Sequence, residues 1–216
     1  MKTGKCIQSG LIMPTADLPS QFVVKLPDFD VGFHEVRFPF DVPLLHKWLN
    51  TKHTIEQWQL NKSLAELLVH FEKAVHDEHQ ELYLISCDGV PFAYCEIYTA
   101  SYDRLAKYYK VDPLDVGWHV LIGEREFLGK SFAENLVFAI SHFVFSQTES
   151  RRIIVEPDVR VKWYVIFKRF AYISDSIIEL PEKSANIFLC LQKQFYESSG
   201  YLSKAEVKVA YETHSD

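Results

Sequence analysis

The sequence predicts a single α/β domain with a mixed central β-sheet flanked by helices, and three observations carry that expectation. Strand and helix patterns alternate strictly over 116–179, which calls for neighbouring strands covered by crossover helices. Before them, two alternating runs flank Asp88-Gly89, the signature of a tight β-hairpin, so antiparallel strands join the same sheet. Finally, 216 residues that are 48% hydrophobic, with 16 Phe, 11 Tyr and 4 Trp, suffice for one large core.

The elements follow in order along the chain. Residues 1–31 carry Pro14, Pro19 and Pro27 and read as a leader or as short edge strands, with the domain proper over 32–195. FHEVRF (33–38) alternates as a first strand. Asp41 is placed to cap a helix that opens at Pro43 and contains LLHKWLN (44–50). A second helix is expected over 54–76, where Leu60, Leu64, Leu67, Leu68 and Phe71 recur at helical spacing. ELYLIS (81–86) and PFAYCEIYTA (91–100) form the hairpin, and VGWHVLIG (116–123) the next strand. FAENLVFAISHFVF (132–145) is an amphipathic helix with Phe132, Leu136, Ile140 and Phe143 on one face. RRIIVEP (151–157) is an apolar strand, and KWYVIFKRF (162–170) a helix turning Trp163, Ile166, Phe167 and Phe170 inward. Strands follow near 172–179 and 187–193, and 196–216 reads as a tail or a terminal strand around VKVAY (207–211).

Charge and cysteine usage narrow the function classes. A formal net charge of −6, from 23 basic and 29 acidic side chains, repels a phosphate backbone, so nucleic acid is not the expected partner. No apolar run reaches the roughly 20 residues that span a bilayer, and no apolar segment follows the first lysines, so a cytoplasmic protein with no membrane partner is expected. Cys6, Cys87, Cys95 and Cys190 lack metal-ligand spacing. His70, His76 and His79 with Asp77 and Glu78 lie just before a strand and read as a solvated connection, so no metal is expected.

Two places hold chemistry. Gly129, Lys130 and Ser131 stand where the chain passes from strand to helix, and a helix N-terminus offers unpaired N–H groups and a positive dipole end to an anion. Gly129 would allow close approach and an unusual φ, while Arg125 or Lys130 would add charge; equally, Ser131 would simply cap the helix. The stretch lacks the first glycine of a triphosphate-binding loop. His119, inside the 116–123 strand, faces with Gly117 and Leu121 and away from Trp118 and Val120. Asp158 ends the next strand, so an imidazole and a carboxylate can meet at a crevice of strand ends. A satisfied core histidine and a helix-capping aspartate explain the same pattern.

The combination of GWHVLIG (117–123), FLGKSFAENL (127–136) and RRIIVEPDVR (151–160) resembles the siderophore-biosynthesis branch of the GCN5-related N-acetyltransferases. That branch holds aerobactin-type N-hydroxylysine acetyltransferases and mycobactin-type lysine N-acyltransferases. LLHKWLN (44–50), Trp58, VPFAYCEIYTASYDRL (90–105), ELPEKSA (179–185) and FLCLQKQF (188–195) extend the likeness. The resemblance implies the fold of that superfamily and transfer of an acetyl or short acyl group from acetyl-coenzyme A or another acyl-coenzyme A, without metal, to a small amine or hydroxylamine. The expected acceptor is an N-hydroxylated ω-amine, N-hydroxylysine or a hydroxylated diamine, in siderophore biosynthesis. Direct attack in a ternary complex would give a hydroxamate. It places the acyl-pantetheine arm along the strand with Leu121 and Ile122. The pyrophosphate would lie at Leu128, Gly129, Lys130 and Ser131, with Arg125 nearby. His119 would face the acceptor, with Asp158 beside it as base or orienting group. Trp48, Trp58, Glu96, Tyr98 and Arg104 would line the acceptor half, the rings covering methylenes, Glu96 pairing with an ammonium and Arg104 with a carboxylate. Ala171 stands where the family pattern has the glycine of a Gly-Phe pair, and Val161 where it often has asparagine. An aminoglycoside-type N-acetyltransferase and a non-catalytic acyl-coenzyme A-binding protein are the alternatives; monomer and dimer are equally compatible with the sequence.

Overall fold

The computed structural model describes residues 13–198, in which eight strands form one sheet. Strands β1 (Gln21–Lys25) and β2 (Asp30–Glu35) pair antiparallel at one edge, so part of the 1–31 stretch is edge strand. Helices α1 (Val42–Leu49), α2 (Lys52–Trp58) and α3 (Leu64–Val75) precede the hairpin β3 (Gln80–Cys87) and β4 (Val90–Thr99). Strand β5 (Val116–Ile122), α4 (Lys130–Gln147) and β6 (Arg152–Val155) follow. Then come α5 (Tyr164–Arg169), β7 (Tyr172–Leu180), β8 (Lys183–Leu191) and α6 (Gln192–Ser198). The tail around 207–211 lies outside the described residues. No helix among the described residues is long and apolar enough to cross a membrane.

Several local expectations are corrected. The single helix expected over 54–76 is two: Gln59 takes a left-handed φ of 51°, and Ser63 starts α3 through a reciprocal capping box with Glu66. Apolar spacing continues across the break, so periodicity alone does not reveal it. Asp41 does precede α1, yet its carboxylate caps nothing; it accepts from the Arg37 backbone N–H (2.8 Å) and Nη2 (2.9 Å). Helix α4 is buried all round from Leu136 to Phe145 rather than on one face. Phe143 packs on Phe22, Phe33 and Tyr83 from the sheet, while Phe138 meets Phe170 and Phe195 on the other side.

The strand order is β1-β2-β3-β4-β5-β6-β8-β7, antiparallel throughout except for β5 with β6. The β5–α4–β6 crossover is as expected, but β7 is not the neighbour of β6, because β8 inserts between them. Parallel pairing of β5 with β6 covers only Val116–Ile153 and Gly117–Ile154. Beyond that point the strands are unpaired with one another, and the sheet opens.

Helices α4 and α6 cover one face with the largest apolar cluster, which includes Trp118 and Ile122. The other face is covered in two patches. Helices α1 and α3 bury Tyr94 and Leu121, and the 100–109 connection buries Tyr98, Ile154 and Ile187. Between those patches lies the β4–β5 pair Glu96–His119, in register.

Ala171 has a φ of 58°, the left-handed region in which a Cβ costs about 1–2 kcal/mol. Ala171→Gly should therefore raise unfolding free energy by about 0.5–1 kcal/mol, after the greater unfolded-chain entropy of glycine is subtracted. Urea midpoints at constant m-value measure this, and an unchanged or lower midpoint contradicts it.

Candidate active site

Alternation along β5 turns Gly117, His119 and Leu121 to one face, opposite Tyr98, Glu96 and Tyr94 of β4. A Cβ on Gly117 would sit 2.2 Å from the Tyr98 ring, so glycine here lets that ring lie flat across the strand. Tyr98 then packs on the His119 imidazole at 4.8 Å between ring centroids. His119 Nδ1 is 3.0 Å from Glu96 Oε2, and Nε2 is 2.9 Å from Glu156 Oε1. Tyr94 donates its hydroxyl to Glu96 (3.0 Å), and Tyr98 donates to Glu156 (3.3 Å). Lys183, the first residue of β8, completes the group with Nζ 3.3 Å from Glu156 Oε1 and 2.8 Å from its backbone oxygen.

One imidazole with a carboxylate on each nitrogen is an imidazolium. Burial opposes its charge, but Glu156 and Glu96 outweigh that and lift its pKa from 6.5 to about 10. Burial alone would raise Glu156, yet the facing His119 charge and Lys183 bring it down to about 2. Burial and the adjacent carboxylates push the Tyr94 and Tyr98 hydroxyls well above their ordinary range, so both remain donors.

The expected partner of His119, Asp158, is engaged elsewhere. It accepts from Arg160 Nε (2.9 Å) and Nη2 (2.6 Å), and Arg160 also reaches Glu56. Arg160 holds the Asp158 carboxyl below its usual range. The carboxylate on His119 is Glu156, two residues earlier, and sequence reasoning missed it together with Tyr94 and Lys183. Alternation carried through β6 admits it without singling it out: Ile153 and Val155 face α4, so Ile154 and Glu156, and by the same period Asp158, fall on the His119 face.

Of the expected acceptor-side residues, Glu96 and Tyr98 join His119 directly. Trp58 is half-buried and packs on Tyr94 at 5.6 Å. Trp48 is fully buried: its ring lies where a Gly123 Cβ would be (2.1 Å), and its indole N–H donates to Glu124 (2.9 Å). It therefore anchors α1 to the end of β5 and presents no open surface. Arg104 donates from Nη1 to Glu182 (3.1 Å) and is paired with it through Nη2 as well.

On the cofactor side, Ile122, Leu128 and Gly129 line a cleft of ≈ 450 Å³ with Ala133, Lys162, Trp163, Val165 and Ile166. Leu121 faces the opposite way, into the α1–α3 core. Gly129 is the N-cap of α4, and no side chain caps that end. Its φ of −158° is ordinary extended backbone, not the unusual φ expected; what its missing Cβ leaves is open space. Lys130 is the first helical residue, and Ser131 is exposed in the first turn rather than capping. Arg125 is exposed in a short 3-10 turn, Arg125–Phe127, whose Phe127 stacks on Phe92 at 4.5 Å.

The structure thus holds an acidic–imidazolium row on one face of β5, and on the other a cleft beside the start of α4. The sequence over residues 38–170 matches the family described as acetyltransferase (GNAT) domain. The chain belongs to the GNAT acetyltransferases. It is 35% identical to an N-hydroxyputrescine acetyltransferase of Acinetobacter baumannii over 188 residues, 87% of this chain and 90% of that protein. Among solved structures, an uncharacterized protein from Bacillus halodurans shares 32% identity at a TM-score of 0.79, covering 83% of this chain and 94% of that one. The aminoglycoside acetyltransferase AAC(6')-Ib in complex with coenzyme A aligns at a TM-score of 0.69 over 77% of this chain and 98% of its own. At 20% identity that likeness shows the fold alone. As a GNAT of the siderophore-biosynthesis branch, the protein is an acyl-coenzyme A-dependent N-acyltransferase.

The raised His119 pKa stabilises the fold fully below pH 6.5, and that contribution is lost as pH rises through about 10. Glu156→Gln should bring the His119 titration midpoint down by at least about one pH unit, read from imidazole carbon-bound protons by NMR. The variant should also lose less stability than the wild type between those pH values. An unmoved midpoint would remove Glu156 as the source of the shift.

Proposed function

We propose that this enzyme moves an acetyl or short acyl group from acyl-coenzyme A to the hydroxylated nitrogen of an N-hydroxylated diamine of the hydroxyputrescine type. The product is a hydroxamate for siderophore assembly, formed by direct attack in a ternary complex. The observation that carries the reading is the Glu96–His119–Glu156 row at the opening between β5 and β6. Arg104 favours a diamine over an amino-acid acceptor: it is tied to Glu182, whereas a hydroxylated amino acid would need it for the α-carboxylate. The name of the Acinetobacter relative points to the same acceptor class.

The chain's own groups fit acyl-coenzyme A. The uncapped start of α4, with Gly129, Lys130 and Ser131, supplies N–H groups and dipole to the pyrophosphate, and Arg125 adds charge from the preceding turn. Ile122, Leu128, Trp163 and Ile166 give the pantetheine arm an apolar wall.

The oxygen substituent lowers the basicity of the acceptor nitrogen, so it arrives neutral near pH 7 and needs no strong base. Attack on the thioester carbon makes that nitrogen strongly acidic, and a weak carboxylate then suffices to take its proton. Glu96 fills this role better than His119. Its side chain is 17% exposed against 2% for Glu156, and His119 already carries its proton. His119 thereby becomes the charged pivot that aims Glu96, and Asp158 supports the acceptor side only through Arg160 and Glu56.

Thiol release from acetyl-coenzyme A, with products identified by mass, tests the assignment across N-hydroxyputrescine, N-hydroxycadaverine, N-hydroxylysine, lysine and kanamycin. The hydroxylated diamines should lead. Turnover of kanamycin alone would replace the reading with an aminoglycoside one, and a preference for N-hydroxylysine would overturn the argument from Arg104. Glu96→Gln should lower kcat by about 10²–10⁴-fold, and Asp158→Asn by far less; the reverse order would return the base to Asp158.

A further inference from the structure

Glu156 is an ionised carboxylate with a 2% exposed side chain, and such a charge must be compensated on every side. From β5, His119 faces it; from β4, Tyr98 does so directly, with Glu96 behind His119; from β8, Lys183 does. Arg104 lies within reach of its field, and Asp158 follows it in the chain. Counting the ionised members of the row, Glu96 and Glu156 face only one cation, His119, if Lys183 is set aside. Lys183 makes the row neutral.

Its placement is structural as well as electrostatic. Lys183 pairs with Leu180 across the two-residue turn Pro181–Glu182, so its backbone is fixed by the β7–β8 hairpin. Its side chain is 19% exposed, and its ammonium bonds both the Glu156 backbone oxygen and carboxylate, holding that residue at two points. The neighbouring Glu182 holds Arg104. The tip of one hairpin thus joins the end of β6 to the β4–β5 connection, across the His119 site.

We infer that Lys183 is a positioning residue for acyl transfer: by pinning and neutralising Glu156 from the β7–β8 hairpin, it keeps Glu156 ionised against His119 and so keeps His119 aimed at Glu96. This rests on the proposed reaction for its effect on rate, but not for its effect on the charge of Glu156. With Lys183 gone, the second cation is lost, and Glu156 binds a proton at higher pH. Glu156 also loses its anchor at the backbone oxygen, so it no longer fixes the imidazolium and Glu96 loses its aim.

The test compares wild type with Lys183→Met and Lys183→Arg. In the Met variant, the Glu156 carboxyl ¹³C resonance should titrate at least about one pH unit higher than in wild type, the usual effect of losing an adjacent charge. With acetyl-coenzyme A and N-hydroxyputrescine, kcat near pH 7 should fall about tenfold or more in the same variant, with KM for acetyl-coenzyme A unchanged. Lys183→Arg should restore both readouts. A Glu156 titration that does not move in a folded Met variant overturns the inference, as does a loss of kcat that arginine fails to rescue. Absence of turnover by the wild type with every hydroxylamine would instead defeat the proposed reaction, while the NMR titration still decides the role of Lys183.

Discussion

A positive charge held in the middle of a sheet is the constraint around which this molecule is arranged. His119 lies on the face of β5 and has a carboxylate on each nitrogen, one from β4 and one just beyond β6. Neither the Glu156 carboxylate nor the imidazolium would be tolerable there alone, because burial penalises both charges. Each makes the others possible. Hydroxyls from Tyr94 and Tyr98 and the ammonium of Lys183 supply the remaining partners. The short β5–β6 pairing leaves the strand ends apart beside the row.

The two faces of the sheet have different character at this point. His119 faces the charged row, while Ile122 turns to the apolar cleft beside α4 and α5. In the proposed reaction the carrier would be received at the helix side and the acceptor at the opposite face. A period of two along one strand is enough to separate them.

Much of this was legible in the residues. Strand periodicity placed His119 with Gly117 and Leu121 on one face, as the register has it, and the Asp88-Gly89 turn marked the hairpin, with Asp88 and Gly89 both at positive φ. The start of α4 was legible because Gly129-Lys130-Ser131 follows a strand end. What escaped were contacts set by three-dimensional proximity. Glu156 and Asp158 are both acidic and two residues apart, and only the pairing of Asp158 with Arg160 distinguishes them. Lys183 reaches the site from a hairpin whose position depends on β8 inserting between β6 and β7, an order that local pattern does not encode. Trp48 resembled a ligand-facing ring in sequence and is instead a core contact, because its neighbour across the fold is a glycine.

That glycine carries a consequence for how such a chain can vary. Gly123 ends the β5 run, and the Trp48 indole occupies the volume any side chain there would need. The same indole, through Glu124, fastens α1 to the loop that leads into the start of α4. Positions 48 and 123 are thus locked to one another: a larger residue at 123 demands a smaller one at 48, and the smaller one surrenders the Glu124 bond. Drift at this seam must proceed by paired exchange, and each exchange would retune the loop that leads into α4.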